Sequence, residues 1–120
     1  MDGAFVIQLH QQSPRGDHYD LMLEEGPVLA TFELPCLPQS LQPGQTILVP
    51  RLADHRPAYL TYEGEVPGGR GHVHIVDRGR YAGRQDGAAW VVELAGGQAA
   101  GSYRLEPARE GLYRLTRLGE

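Results

Sequence analysis

The sequence contains no lysine, a single cysteine and no apolar stretch long enough to span a bilayer. Each absence narrows the field. One thiol, Cys36, cannot close an internal disulfide, which suits a reducing compartment. Set between Pro35 and Leu37 with no histidine beside it, Cys36 reads as a small apolar residue rather than a nucleophile. The opening MDGAFVIQLH has neither the basic flank nor the apolar core of a signal peptide. A cytoplasmic protein without a membrane anchor is therefore expected. The GxGxxG, P-loop and GxSxG signatures are missing, so dinucleotide-fingerprint, P-loop and serine-hydrolase chemistry have no support. No helical apolar period persists over several turns, and no internal repeat is present.

Without lysine, all 11 basic side chains are arginines, planar forks suited to paired contacts with phosphate oxygens. The net charge of −4 offers no general basic surface of the kind that bulk nucleic-acid binding uses. Its distribution is uneven. Residues 1–50 carry six acids and only Arg15, whereas residues 51–120 carry ten arginines against nine acids.

What the sequence has in quantity is glycine (16) and proline (9), which cut 120 residues into short segments. A chain of this length suits one domain, taken as 1–120, burying roughly two-thirds of its unfolded surface. Period-2 alternation recurs in AFVIQLH, HYDLMLE, VLATFEL, QTILVPRL, HVHIVDRG, AAWVVEL, GSYRLEP and GLYRLTRL. Turn chemistry separates them at Glu25-Gly26-Pro27, Gln42-Pro43-Gly44, Pro67-Gly68-Gly69, Gly96-Gly97 and Glu110-Gly111. The predicted fold is all-β, a compact antiparallel barrel of roughly eight short strands, whose closure removes exposed edges. Alternation puts Phe5, Ile7 and Leu9 on one face and Val6, Gln8 and His10 on the other. In the next strand Tyr19, Leu21 and Leu23 oppose His18, Asp20, Met22 and Glu24.

His18 and Asp20 therefore project together, about 7 Å apart along the strand. The SPRGD segment is a tight loop, so hairpin pairing can bring His10 across from them. Two imidazoles and a carboxylate form a common set for a divalent transition metal with positions left open for water or substrate. The alternative is a solvated polar face. His72 and His74 also share a face, as surface or phosphate-adjacent groups or as additional ligands.

Four ordered blocks carry a more specific signal. FVIQLH, HYDLMLE, ADHRPAYLTYEGEVPGG and IVDRGRY resemble segments of the 3′-phosphoesterase domain of bacterial DNA ligase D. That family reads FVxQKH, LHYDxRLE, EDHPxxYxxFEGxIPxGxYG and WDRGxW. The resemblance runs from Phe5 to Tyr81, with WVVEL and SYRLEPAREGLYRLTR similar to its closing strands. It implies a compact β-barrel and a manganese-dependent enzyme that removes 3′-phosphates or 3′-terminal ribonucleotides from nucleic-acid ends. Nicked or primer-template duplex is the implied substrate, and a separate DNA ligase or end-joining protein the implied partner. The family's metal ligands fall on His10, His18 and Asp20, and its phosphate contacts on His55 and Tyr59. Glu24 matches an acidic residue that supports the ligands from behind. The His/His/Asp set suits Mn²⁺ and Zn²⁺ alike, or another divalent transition metal.

Three departures run in one direction. Met22, Cys36 and Ile47 fall where the family has basic residues, and the loop between His10 and His18 is longer than usual. Each charged hydrogen bond lost to phosphate costs about 1.5–3 kcal/mol. Either nearby arginines (Arg15, Arg51, Arg56 or Arg70) compensate, with Arg15 in the enlarged loop the favoured candidate, or catalysis is weakened. The alternative function is then a metal- and nucleic-acid-end-binding module of the same fold. Arg78 and Arg80 read as surface charges.

Overall fold

The computed structural model describes residues 2–119, in nine strands. These are β1 (Asp2–Gln11), β2 (His18–Glu25), β3 (Val28–Leu34), β4 (Thr46–His55), β5 (Gly64–Glu65), β6 (His72–Asp86), β7 (Ala89–Gly96), β8 (Ala100–Arg109) and β9 (Leu112–Arg117). Eight of them pair antiparallel in the order β1-β2-β3-β4-β9-β8-β7-β6, and β1 pairs again with β6 to close the barrel. β5 adds a two-residue pairing on the outer edge of β6. The eight-stranded barrel expected from alternation is the fold observed.

Its interior follows the period-2 pattern. Phe5 and Ile7 of β1, Leu21 and Leu23 of β2, and Phe32 and Leu34 of β3 meet Trp90, Val92, Tyr103, Leu105 and Leu115 from the far wall. Full burial of such side chains stabilises by about 1.5–3 kcal/mol each. The opposite face of β1–β3 carries a second, smaller cluster of Val6, Met22 and Leu29. Tyr59 and Leu60, from a 3-10 turn at Pro57–Leu60, cover it together with Ile75. That turn therefore lies against the outer wall, and the residues beside the small cluster line a partly covered cleft.

β6 is longer than its sequence segment suggested, running through Gly79 without a break. The reason is close packing. Gly79 stands opposite Gly96, and a Cβ at position 79 would collide with the carbonyl oxygen of Ala95. Here glycine admits a neighbouring backbone instead of ending the strand. Two residues earlier, buried Asp77 accepts hydrogen bonds from the backbone N–H groups of Gly97 (2.8 Å), Gln98 (3.0 Å) and Ala99 (2.6 Å), and from Arg78 (2.9 Å). It clamps the β7–β8 loop to the barrel. Arg78 and Arg80, which follow it on β6, are exposed, as expected.

Candidate metal centre

The β1–β2 hairpin pairs His10 directly with His18 and Gln8 directly with Asp20. All four lie on the outer face, and the connecting loop explains the ring orientations. Gly16 adopts a φ of 85°, accessible to glycine without strain. Its N–H donates to Ser13 O (3.0 Å), and its carbonyl accepts from His18 Nδ1 (2.9 Å). On the other side, Arg70 O accepts from His10 Nε2 (2.7 Å).

A carbonyl only accepts, so these contacts assign the proton of each neutral ring. His18 carries it on Nδ1 and directs the Nε2 lone pair to Asp20 Oδ1, 3.2 Å away. His10 carries it on Nε2 and directs Nδ1 to Asp20 Oδ2, 3.6 Å away. The three candidate ligand atoms lie within 4.8 Å of one another. Asp20 Oδ1 is buried without a hydrogen-bond partner. Acceptors therefore converge on acceptors, an arrangement that a cation relieves and that metal-ligating histidines adopt when backbone carbonyls hold their second nitrogen. An ion bound here would be held by His10 Nδ1, His18 Nε2 and the Asp20 carboxylate. Burial holds the Asp20 carboxyl above its ordinary value, against the opposing pull of His18, His10 and His55.

The cleft around this cluster encloses about 280 Å³ and includes Met22, Leu52, His55, Tyr59 and Arg70. His55 donates from Nδ1 to Ala53 O (2.9 Å), and its ring meets Tyr59 edge-on at 5.4 Å. Both sequence-predicted phosphate residues thus share one cavity with the ligand set.

Arg15 also borders the cleft, but its Nε donates to Glu33 Oε1 at 2.6 Å. Glu33 sits opposite Asp20 on β3, with Oε1 3.9 Å from His18 Nε2. Sequence reasoning did not single out Glu33, and no local signal marked it. Nor did it assign a role to Gln8, although alternation had placed Gln8 beside His10.

Other expected positions fall elsewhere. Glu24 lies four residues along β2 from Asp20, too far to support the ligands. Its Oε1 accepts the Ala4 N–H (2.9 Å), while its carbonyl accepts the Tyr81 hydroxyl (2.6 Å), tying β2 to β1 and β6. Cys36 and Ile47 pack against the barrel interior, Ile47 opposite Leu115, so neither position faces the cleft. Of the three departures, only Met22 lines it. Arg51 is stacked on Phe32 and Tyr113 with centroid distances of 5.5 and 5.8 Å, and Arg56 is exposed outside the cleft. The rings of His72 and His74 pair with each other at 5.2 Å, outside the ligand cluster.

Comparison with known proteins identifies relatives of this chain. Residues 8–107 match the DNA ligase D 3′-phosphoesterase domain family. The multifunctional non-homologous end joining protein LigD of Mycobacterium bovis is 34% identical over 112 residues, covering 85% of this chain. The multifunctional non-homologous end joining DNA repair protein LigD of Mycobacterium tuberculosis (strain CDC 1551 / Oshkosh) has the same identity and coverage. The chain spans 14% of the length of each.

Proposed function

This chain belongs to the DNA ligase D 3′-phosphoesterase domain family, and on that footing we propose that it is a metal-dependent phosphoesterase acting at nucleic-acid 3′ ends. Its reaction is removal of a 3′-phosphate or a 3′-terminal ribonucleotide from nicked or primer-template duplex, leaving a 3′-hydroxyl. Mn²⁺ is the ion we favour, with Zn²⁺ the nearest competitor. A DNA ligase or end-joining protein is the proposed partner, because the relatives are named for end joining. The observation that carries the reading is the convergence of His10 Nδ1, His18 Nε2 and the Asp20 carboxylate.

A bound divalent ion would neutralise phosphoester charge and lower the pKa of a coordinated water. The remaining work falls to side chains. Carbonyls of Arg70 and Gly16 keep the two imidazoles in the ligating tautomer. His55, with Nδ1 engaged by Ala53, has Nε2 free to give a proton to the leaving oxygen when the ring is charged. Tyr59 offers its hydroxyl to a non-bridging oxygen. Arg15 reaches phosphate only by leaving Glu33.

That last contact, together with Met22 on the cleft wall, favours a second reading: a catalytically weakened module that holds metal and a nucleic-acid end. One assay separates the two. Purified protein and His18→Ala are incubated with Mn²⁺ and a duplex ending in a 3′-phosphate or one 3′-ribonucleotide. Conversion to a 3′-hydroxyl by the wild type alone supports the enzyme. Metal and duplex binding without conversion supports the module.

A further inference from the structure

We propose that Gln8 supplies a fourth protein ligand, its side-chain carbonyl oxygen, to the ion held by His10, His18 and Asp20. The inference rests on the metal site proposed above and extends it by one residue.

Gln8 lies on β1, two residues before His10 on the same face, and is fully buried. Its Nε2 donates to two backbone carbonyls, Tyr59 O at 2.9 Å and Tyr62 O at 3.0 Å. Both amide hydrogens are then used. Carbonyls accept only, so exchanging the amide oxygen and nitrogen would set oxygen against oxygen, and the orientation is unambiguous. Oε1 is left buried and without a hydrogen-bond partner.

Asp20 Oδ1 has the same deficit, and Asp20 is the residue directly opposite Gln8 on β2. Two unpaired buried acceptors on facing residues of one wall cannot serve each other, and each alone is destabilising. His18 Nε2 cannot donate to them while its proton is on Nδ1. A shared cation satisfies both oxygens at once.

The resulting set has two imidazole nitrogens, one carboxylate and one amide oxygen. Amide oxygen is a hard donor that ligates either ion in such a set and is the better match to Mn²⁺. The structural role of Nε2 explains why the oxygen holds its place: the 3-10 turn that carries Tyr59 is tethered to the same side chain.

The first test needs no substitution. Wild-type protein labelled with ¹³C and ¹⁵N is titrated with Zn²⁺, a diamagnetic probe, and side-chain resonances are followed. The expected result is a shift of the Gln8 Cδ signal in step with the ring nitrogens of His10 and His18. Ring shifts with an unmoved Gln8 signal would overturn the inference and leave the metal site standing. No shift at any of the three would overturn both. In the second test, Mn²⁺ affinity of Gln8→Met is measured by calorimetry on protein verified as folded. A loss of about tenfold or more, with a smaller loss for Zn²⁺, is expected. Unchanged Mn²⁺ affinity contradicts the proposal.

Discussion

His10 and His18 face each other across the β1–β2 hairpin as a directly opposed pair, ring centroids 5.0 Å apart, and each is held by a backbone carbonyl through the nitrogen turned away from Asp20. One carbonyl comes from the hairpin loop and the other from the 66–71 loop on the far side of the cleft. Ligand geometry thus depends on two loops as well as on the barrel.

Gly71 is the weak point of that arrangement. Its φ is 87°, and a Cβ there would strike the carbonyl of Gln11 and the backbone of Gln12. Gly71→Ala should displace Arg70 O from His10, lowering divalent-metal affinity about tenfold while the barrel persists. Calorimetric metal titration beside far-ultraviolet circular dichroism checks it. Unaltered affinity would show that the Arg70 contact does not position His10.

Met22 lines the cleft at a position where the resemblance to the family implies a cation. Met22→Arg should strengthen binding of a 3′-phosphate-terminated duplex roughly 10- to 100-fold, the worth of one charged hydrogen bond. Binding should also become more salt-sensitive. Stability should fall, because Met22 packs with Val6 and Leu29. Fluorescence anisotropy at two salt concentrations reads the gain, and no gain would remove Met22 as the cause of weakened phosphate binding.

Glu33 engages the Arg15 guanidinium through a 2.6 Å contact at the edge of the cleft. Glu33→Gln should free the guanidinium and raise affinity for phosphate-ended duplex several-fold, a gain that a second change, Arg15→Ala, abolishes. If Glu33→Gln instead weakens binding, Arg15 is not the missing cation.

Asp77 should make the barrel acid-sensitive. Burial pushes its carboxyl up, but the N–H groups of Ala99, Gln98, Arg78 and Gly97 outweigh burial and hold it below the ordinary carboxylate value. Its contribution is therefore complete above an unfolded value of about 3.9 and is lost as pH falls through the lower folded value. Asp77→Asn should cost about 2–4 kcal/mol at neutral pH and flatten the acid limb of the stability profile. Urea unfolding across pH measures this. A parallel downward shift of the whole profile would point to some other carboxylate.

Much of this was legible in the sequence because a strand repeats every two residues. Alternation alone set His18 and Asp20 side by side and Phe5, Ile7, Leu21 and Leu23 inward. Contacts between distant segments were not legible. Gln8 is locked by carbonyls 51 and 54 residues away, and Glu33 reaches Arg15 across 18. Matching Ile47 to a basic family position ignored the β4 face it occupies, which turns inward. Glu24 shares a face with Asp20 but lies at the other end of the strand, where alternation says nothing about distance.

The most direct test of the central claim is equilibrium Mn²⁺ binding by wild type and Asp20→Ala, both verified as folded. The account predicts one ion per wild-type chain and loss of that ion in the variant. Equal binding by both, or none by the wild type, would contradict a metal centre at His10, His18 and Asp20.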